Sequence, residues 1–90
     1  SKAGLAGMTQ VLAVELARRG VRINLVVPGF VDTDMTAALS ARARARLLQR
    51  IPLGRPGTLD EIAEVICWVA EARYMTGSIV ATDGGLMCSL

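Results

Sequence analysis

The chain is predicted to be an α/β protein carrying the end portion of a doubly wound parallel sheet. Three observations point there. A run rich in β-branched residues, Val21–Val27, stops at Pro28-Gly29, as a strand must where a residue without an N–H meets one without a side chain. Apolar residues at helical spacing lie on both sides of that run. A single glycine separates the first expected helix from the strand, and helix-then-strand with a short link is half of a β-α-β unit.

The first helix is expected over Ala3–Arg19. Leu5, Met8, Leu12 and Leu16 recur at helical spacing, and Gly20 after Arg18-Arg19 supplies the stop. Val11 and Val14 widen the stripe, which fits either a helix packed on two sides or one buried deep in a single core. Strand Val21–Val27 follows. Thr36–Arg50, rich in Ala and Leu, is the second helix, and Ile51–Gly57 (IPLGRPG) is a loop because it holds two prolines and two glycines. Thr58 with Glu61 three residues later forms a capping box that opens a third helix, Leu59–Ala72. A last short strand, Ser78–Thr82, ends at the turn signal Asp83-Gly84-Gly85.

Two parallel-type strands need neighbours to pair with. Ninety residues with 52% hydrophobic content also leave more apolar surface than a short chain can hide. The expectation is therefore a C-terminal segment, 1–90, of one larger domain. No apolar run reaches the roughly 20 residues of a membrane-spanning helix. The sequence has no histidine, which argues against a metal site and against imidazole acid/base chemistry. Cys67 and Cys88 have no CxxC spacing, as in a reduced protein. A net charge of +2 without aromatics among the basic residues argues against nucleic acid.

Open α/β sheets bind ligands beyond the carboxyl ends of their strands. Phe30–Thr36, directly after the first strand, is thus the place to seek chemistry. Three segments there and elsewhere carry a resemblance: Ser1-Lys2-Ala3-Gly4-Leu5; Val21-Arg22-Ile23-Asn24 leading to Pro28-Gly29-Phe30-Val31-x-Thr33; and Tyr74-Met75-Thr76-Gly77 leading to Asp83-Gly84-Gly85. In order, spacing and content they resemble the short-chain dehydrogenase/reductase family over essentially all 90 residues. The runs PGFVDTDMT and IPLG are most similar to its 3-oxoacyl-[acyl-carrier-protein] reductases and the related carbonyl reductase family member 4 group.

That resemblance implies a Rossmann-type fold and hydride transfer between a nicotinamide cofactor, NADP(H) or alternatively NAD(H), and a carbonyl. Lys2 matches the lysine of the family's Tyr-x-x-x-Lys pair. An ammonium there lowers the phenol pKa by stabilising phenolate, and it also binds the nicotinamide ribose. The matching Tyr, the Gly-rich phosphate loop and the Asn and Ser positions would fall before Ser1, so the 90 residues alone are expected to be inactive. Pro28, Gly29, Val31 and Thr33 match the nicotinamide-side loop, with Val31 backbone groups and the Thr33 hydroxyl meeting the carboxamide. A strand stop and a helix cap are the plain alternatives for Pro28-Gly29 and Thr33. Met35 and the helix after it match a flexible flap over the substrate, although Met and Ala at helical spacing also fill ordinary cores. The terminal Asp83-Gly84-Gly85 reads as structural.

Charge adds an independent signal. No acidic residue lies between Asp34 and Asp60, while Arg42, Arg44, Arg46, Arg50 and Arg55 all do. Arg42, Arg46 and Arg50 share a helical face, and Arg18, Arg19 and Arg22 form a second cluster. Either could steer an acidic carrier protein with its phosphate-bearing arm, and either could be a solvated face. Arg19 matches a carrier-docking position of the reductases. Asp32 and Asp34 read as solvated or capping carboxylates, not as an acid/base pair.

The reading is reduction of a carbonyl, foremost a 3-oxoacyl thioester to its 3-hydroxyacyl form, by a homodimeric or homotetrameric parent enzyme of the cytoplasm or, alternatively, the mitochondrial matrix. The alternative from another class is a non-catalytic subunit that keeps an oligomerisation or carrier-docking surface.

Overall fold

The structure is a computed structural model that describes residues 2–89, with the side chains of Lys2 and Met35 outside the description. The elements run α1 (Lys2–Leu16), a 3-10 turn (Ala17–Arg19), β1 (Leu25–Pro28), α2 (Asp34–Ala37), α3 (Ala41–Gln49), α4 (Leu59–Glu71), β2 (Ile79–Thr82) and a closing 3-10 turn (Leu86–Ser89). The strands are parallel neighbours in the register Leu25 to Ile79 through Pro28 to Thr82. Parallel pairing demands a crossover, and α2, α3 and α4 provide it.

Helix α1 tightens into its 3-10 turn and stops at Gly20, whose φ of 74° lets its N–H reach the Ala17 carbonyl. The strand is shorter than its β-branched run. Between Val21 and Asn24 the chain bonds to a loop instead of a ladder: Gly77 N–H donates to the Ile23 carbonyl at 2.7 Å, and the Thr76 hydroxyl accepts from Ile23 N–H. The Asn24 amide spans the same loop, donating to the Met75 carbonyl and accepting from Ser78 N–H. Bonds to this loop, from its backbone and from the Thr76 and Asn24 side chains, thus replace the expected first half of the strand.

The expected helix over Thr36–Arg50 is two helices. Ser40 is extended (ψ 155°) and its hydroxyl accepts from Ala43 N–H, so it begins α3 as an N-cap and breaks the run. The third helix starts as the sequence predicts: Thr58 and Glu61 exchange bonds at 3.0 and 3.1 Å. Its far end has no basic residue of its own. Arg22 supplies the charge from outside, donating to the carbonyls of Val69, Ala70, Ala72 and Met75. Arg22 is therefore a cap for α4 and leaves the expected Arg18-Arg19-Arg22 docking cluster.

Little of this is closed around a core. Ala13, Ile51 and Val69 are the buried apolar residues among those described, while Leu5, Met8, Val11 and Val14 on α1 and Ile66 and Trp68 on α4 are exposed. The stripe expected to face the core on α1 is thus open, and the buried positions are Thr9 and Ala13, the latter packed against Gly77. The radius of gyration is 15.4 Å, against about 12 Å for a compact domain of this length.

Candidate functional site at the carboxyl ends of the strands

Both strands end at one place, and the loops that leave them interlock. An added Cβ at Gly29 would stand 2.6 Å from the Asp83 Cβ and 2.8 Å from its Cα. The expected close approach at Gly29 is thus made by the chain itself, as the Pro28-Gly29 turn crosses the end of β2. Gly29 N–H still donates to the Thr82 carbonyl at 3.3 Å.

Asp83-Gly84-Gly85 docks on the IPLG run. Leu53 N–H donates to the Gly84 carbonyl. Gly84 and Gly85 hold positive φ of 66° and 93° against Ile51 and Pro52, a conformation open to glycine. The Asp83 carboxylate accepts from Gly85 and Met87 N–H and so caps the closing turn. The structural reading of this motif agrees with its place in the fold. A small cavity of about 100 Å³ lies between these loops, walled in part by Phe30, Leu53, Gly57 and Ile62.

After Gly29 the chain forms a parallel bridge between Val31 and Gly57. Gly57 N–H donates to the Phe30 carbonyl at 2.9 Å, and Asp32 N–H to the Gly57 carbonyl at 3.1 Å. In such a bridge the central residue's own amide points away from the partner. Val31 N–H accordingly has no hydrogen-bond partner among the described residues.

Thr33 opens α2. Its N–H donates to the Thr36 hydroxyl at 2.7 Å, and its hydroxyl oxygen accepts from Thr36 N–H at 3.4 Å. The cap reading is therefore realised, and because the Thr33 hydroxyl accepts in that bond its own proton is left for another acceptor. Thr33 lines an open groove with Asp32, Asp34 and Leu59.

Asp32, expected to be solvated or capping, is ion-paired. Its two carboxylate oxygens accept from the two terminal nitrogens of Arg44 at 3.1 Å each, and the Arg44 Cζ sits 5.7 Å from the centroid of the Phe30 ring. Hydrogen bonding from Arg44 holds the Asp32 carboxyl below its ordinary pKa. A second fork joins Arg55 to Glu61 at 2.8 Å per bond. Together with the Thr58 cap it lowers the Glu61 pKa to about 2. Arg44 and Arg55 are thus neutralised by neighbours, which removes them from the basic surface read from sequence.

Of the expected site residues, Pro28 ends β1 and Gly29, Val31 and Thr33 follow it on one loop. Arg19 is exposed at the end of the turn after α1, without an ion pair among the described residues. Lys2 lies in the first turn of α1 and Met35 in α2, but the side chains that carry their expected roles lie outside the described residues. Sequence reasoning missed Gly57, Arg22 and the Asp32–Arg44 pair. Each joins segments at least twelve residues apart, and no local pattern signals such a contact.

Three comparisons bear on this geometry. The family model for enoyl-(acyl carrier protein) reductase matches residues 1–87. A 3-oxoacyl-[acyl-carrier-protein] reductase from Thermotoga maritima is 51% identical over 89 residues, covering 97% of this chain and 36% of that protein. Carbonyl reductase family member 4 from Danio rerio is 50% identical over 86 residues, covering 96% and 35%. The crystal structure of a putative 2-deoxy-D-gluconate 3-dehydrogenase from Agrobacterium tumefaciens, with bound NADP, superposes with a TM-score of 0.88 at 38% identity over 97% of this chain and 37% of that one. The chain spans just over a third of the length of these relatives. With the parallel β1–β2 pair and its helical crossover, the match identifies the fold as part of a Rossmann-type domain, and the chain belongs to the short-chain dehydrogenase/reductase family.

Proposed function

We propose that residues 1–90 form one segment of a single dinucleotide-dependent oxidoreductase domain, and that the protein reduces a carbonyl with NADP(H), NAD(H) being the alternative. The observation that carries this reading is the Val31 amide, turned away from the Gly57 bridge on the loop that leaves the carboxyl end of β1, with Thr33 two residues further along the same loop. A carboxamide offers one acceptor and one donor pair, and this loop offers a backbone donor and a hydroxyl that donates or accepts. The donor set fits. A nicotinamide held there would supply the hydride chemistry that carbonyl reduction needs.

The chain's own part is then positional. Val31 N–H and the Thr33 hydroxyl orient the carboxamide, while Gly29 lets the loop lie close against Asp83. Lys2, the assigned catalytic residue, sits at the start of α1, where an ammonium binds ribose hydroxyls and lowers the pKa of the proton-donating phenol of a Tyr-x-x-x-Lys pair. The 90 residues contain neither that tyrosine spacing nor a Gly-rich strand-to-helix turn, so turnover is assigned to the complete gene product and not to this stretch alone.

A 3-oxoacyl thioester is the substrate we favour, because the Thermotoga relative is named for that reaction. Met35 and α3 would cover it, and Arg19 would face an acidic carrier. The unpaired thiols Cys67 and Cys88 fit a reducing compartment, the cytoplasm or alternatively the mitochondrial matrix. The open apolar face of α1 favours a homodimer or homotetramer. It also supports the second reading, a non-catalytic oligomerisation subunit, which predicts association with a full-length reductase and no turnover.

The test is steady-state reduction of an acetoacetyl thioester by the complete gene product. Val31→Pro, which deletes the amide proton, is expected to raise the dinucleotide KM about tenfold, the worth of one hydrogen bond. Thr33→Val is expected to act in the same direction. Unchanged dinucleotide KM in both variants would defeat the assignment.

A further inference from the structure

Resting on the reductase reading above, we propose that Asp32 and Arg44 are a positioning pair that sets helix α3 on the cofactor-side loop and thereby fixes the substrate side of the site. Asp32 is a junction. Its backbone N–H donates to Gly57, its neighbour Val31 bridges the same glycine, and its carboxylate takes the Arg44 fork and the Thr36 hydroxyl. Arg44 also lies over the Phe30 ring, and the Phe30 carbonyl accepts from Gly57 N–H.

Helix α3 is held at its far end by the Ser89 hydroxyl on the carbonyl of its C-cap Arg50 and by buried Ile51, so this junction is its side-chain tie to the cofactor-side loop. Ser40 breaks it from α2, so helical continuity does not set its angle. Among the described residues no other side chain of α3 makes a hydrogen bond or ion pair outside the helix. The bidentate match of guanidinium to carboxylate is directional as well as attractive, and the ring beneath it restricts the plane of the fork. A pair that is 33% and 47% exposed adds little to global stability. Its loss should therefore register in the geometry of the site and not in the melting temperature.

The test uses the complete gene product. Asp32→Asn and Arg44→Gln are each expected to raise the KM for an acetoacetyl thioester about fivefold while kcat stays within about twofold, because the lost interaction holds the substrate side and not the reacting atoms. The double variant should be no worse than either single one, as for partners in one interaction. Arg44→Lys, which keeps charge without the fork, should recover only part of the loss. Hydrogen exchange of the α3 amides, measured without dinucleotide or substrate, should quicken in Asp32→Asn and Arg44→Gln. Unchanged KM, additive losses in the double variant, or unchanged exchange would each overturn the pairing. Absence of turnover by the unmodified protein would instead defeat the reductase reading. Exchange would then decide: faster exchange upholds the pair, and unchanged exchange sinks it.

Discussion

Arg22 reaches fifty residues along the chain to donate to the Ala72 carbonyl at 3.0 Å, and with Val69, Ala70 and Met75 it closes the C-terminal end of α4. A helix end carries unsatisfied carbonyls and partial negative charge. One guanidinium meets both needs and ties α4 to the chain entering β1. Arg22→Ala in the complete gene product is expected to cost about 2 kcal/mol, the sum of lost charged hydrogen bonds and carbonyls left dry. Arg22→Lys should recover only a fraction, since an ammonium cannot serve four acceptors in that fan. Urea denaturation of the three proteins checks this.

Gly29 and Gly20 are both turn glycines, yet different physics protects them. Gly29 is not in the left-handed region, but its missing Cβ leaves room for the Asp83 backbone at 2.8 Å. Gly20 has φ of 74° and open space around it. Gly29→Ala must displace backbone and is expected to cost about 2 kcal/mol or more. Gly20→Ala bears only the conformational penalty, about 1 kcal/mol. Equal losses in thermal or urea melts would refute the distinction.

The contrast also marks what was legible in sequence. Local signals were readable because their physics is local: the Thr58–Glu61 box, the Gly20 stop, the Pro28-Gly29 break and the turn at Asp83-Gly84-Gly85. The strand boundary at Asn24 and the break at Ser40 were not. In both places a polar side chain competes with the backbone for hydrogen bonds, and composition-level periodicity is blind to that competition. The candidate loop was found by its position after a strand, whereas the meaning of Asp32 required Arg44 to be brought to it.

The Arg55–Glu61 fork gives α4 a pH-sensitive start. Glu61 titrates at about 2 in the folded chain against an ordinary 4.5, chiefly because Arg55 hydrogen-bonds its carboxylate. A lowered folded pKa means stabilisation that is fully present above the unfolded value and is lost as pH falls from about 4.5 towards 2. The melting temperature should therefore fall over that window. Glu61→Gln should flatten the fall while keeping a neutral cap acceptor. A Glu61→Gln profile that overlays the parent would exclude the fork as its cause.

The arginines of α3 divide by partner, and the division separates structural charge from charge available to a ligand. Arg44 is committed to Asp32. Arg42, Arg46 and Arg50 are exposed and have no side-chain partner among the described residues; Arg46 and Arg50 edge a shallow groove with Leu39, Ala43 and Leu47. Replacing the exposed three with Gln should change stability by less than about 0.5 kcal/mol per site, as surface substitutions do. If this face steers an acidic carrier, the same triple variant should lower kcat/KM for a carrier-bound thioester at low salt, and the difference should shrink as salt screens it. A small thioester without a carrier has no such field to feel and should react at the parent rate. Equal effects on both substrates would mean that the stripe touches the site itself, and no effect on either would leave it a solvated face.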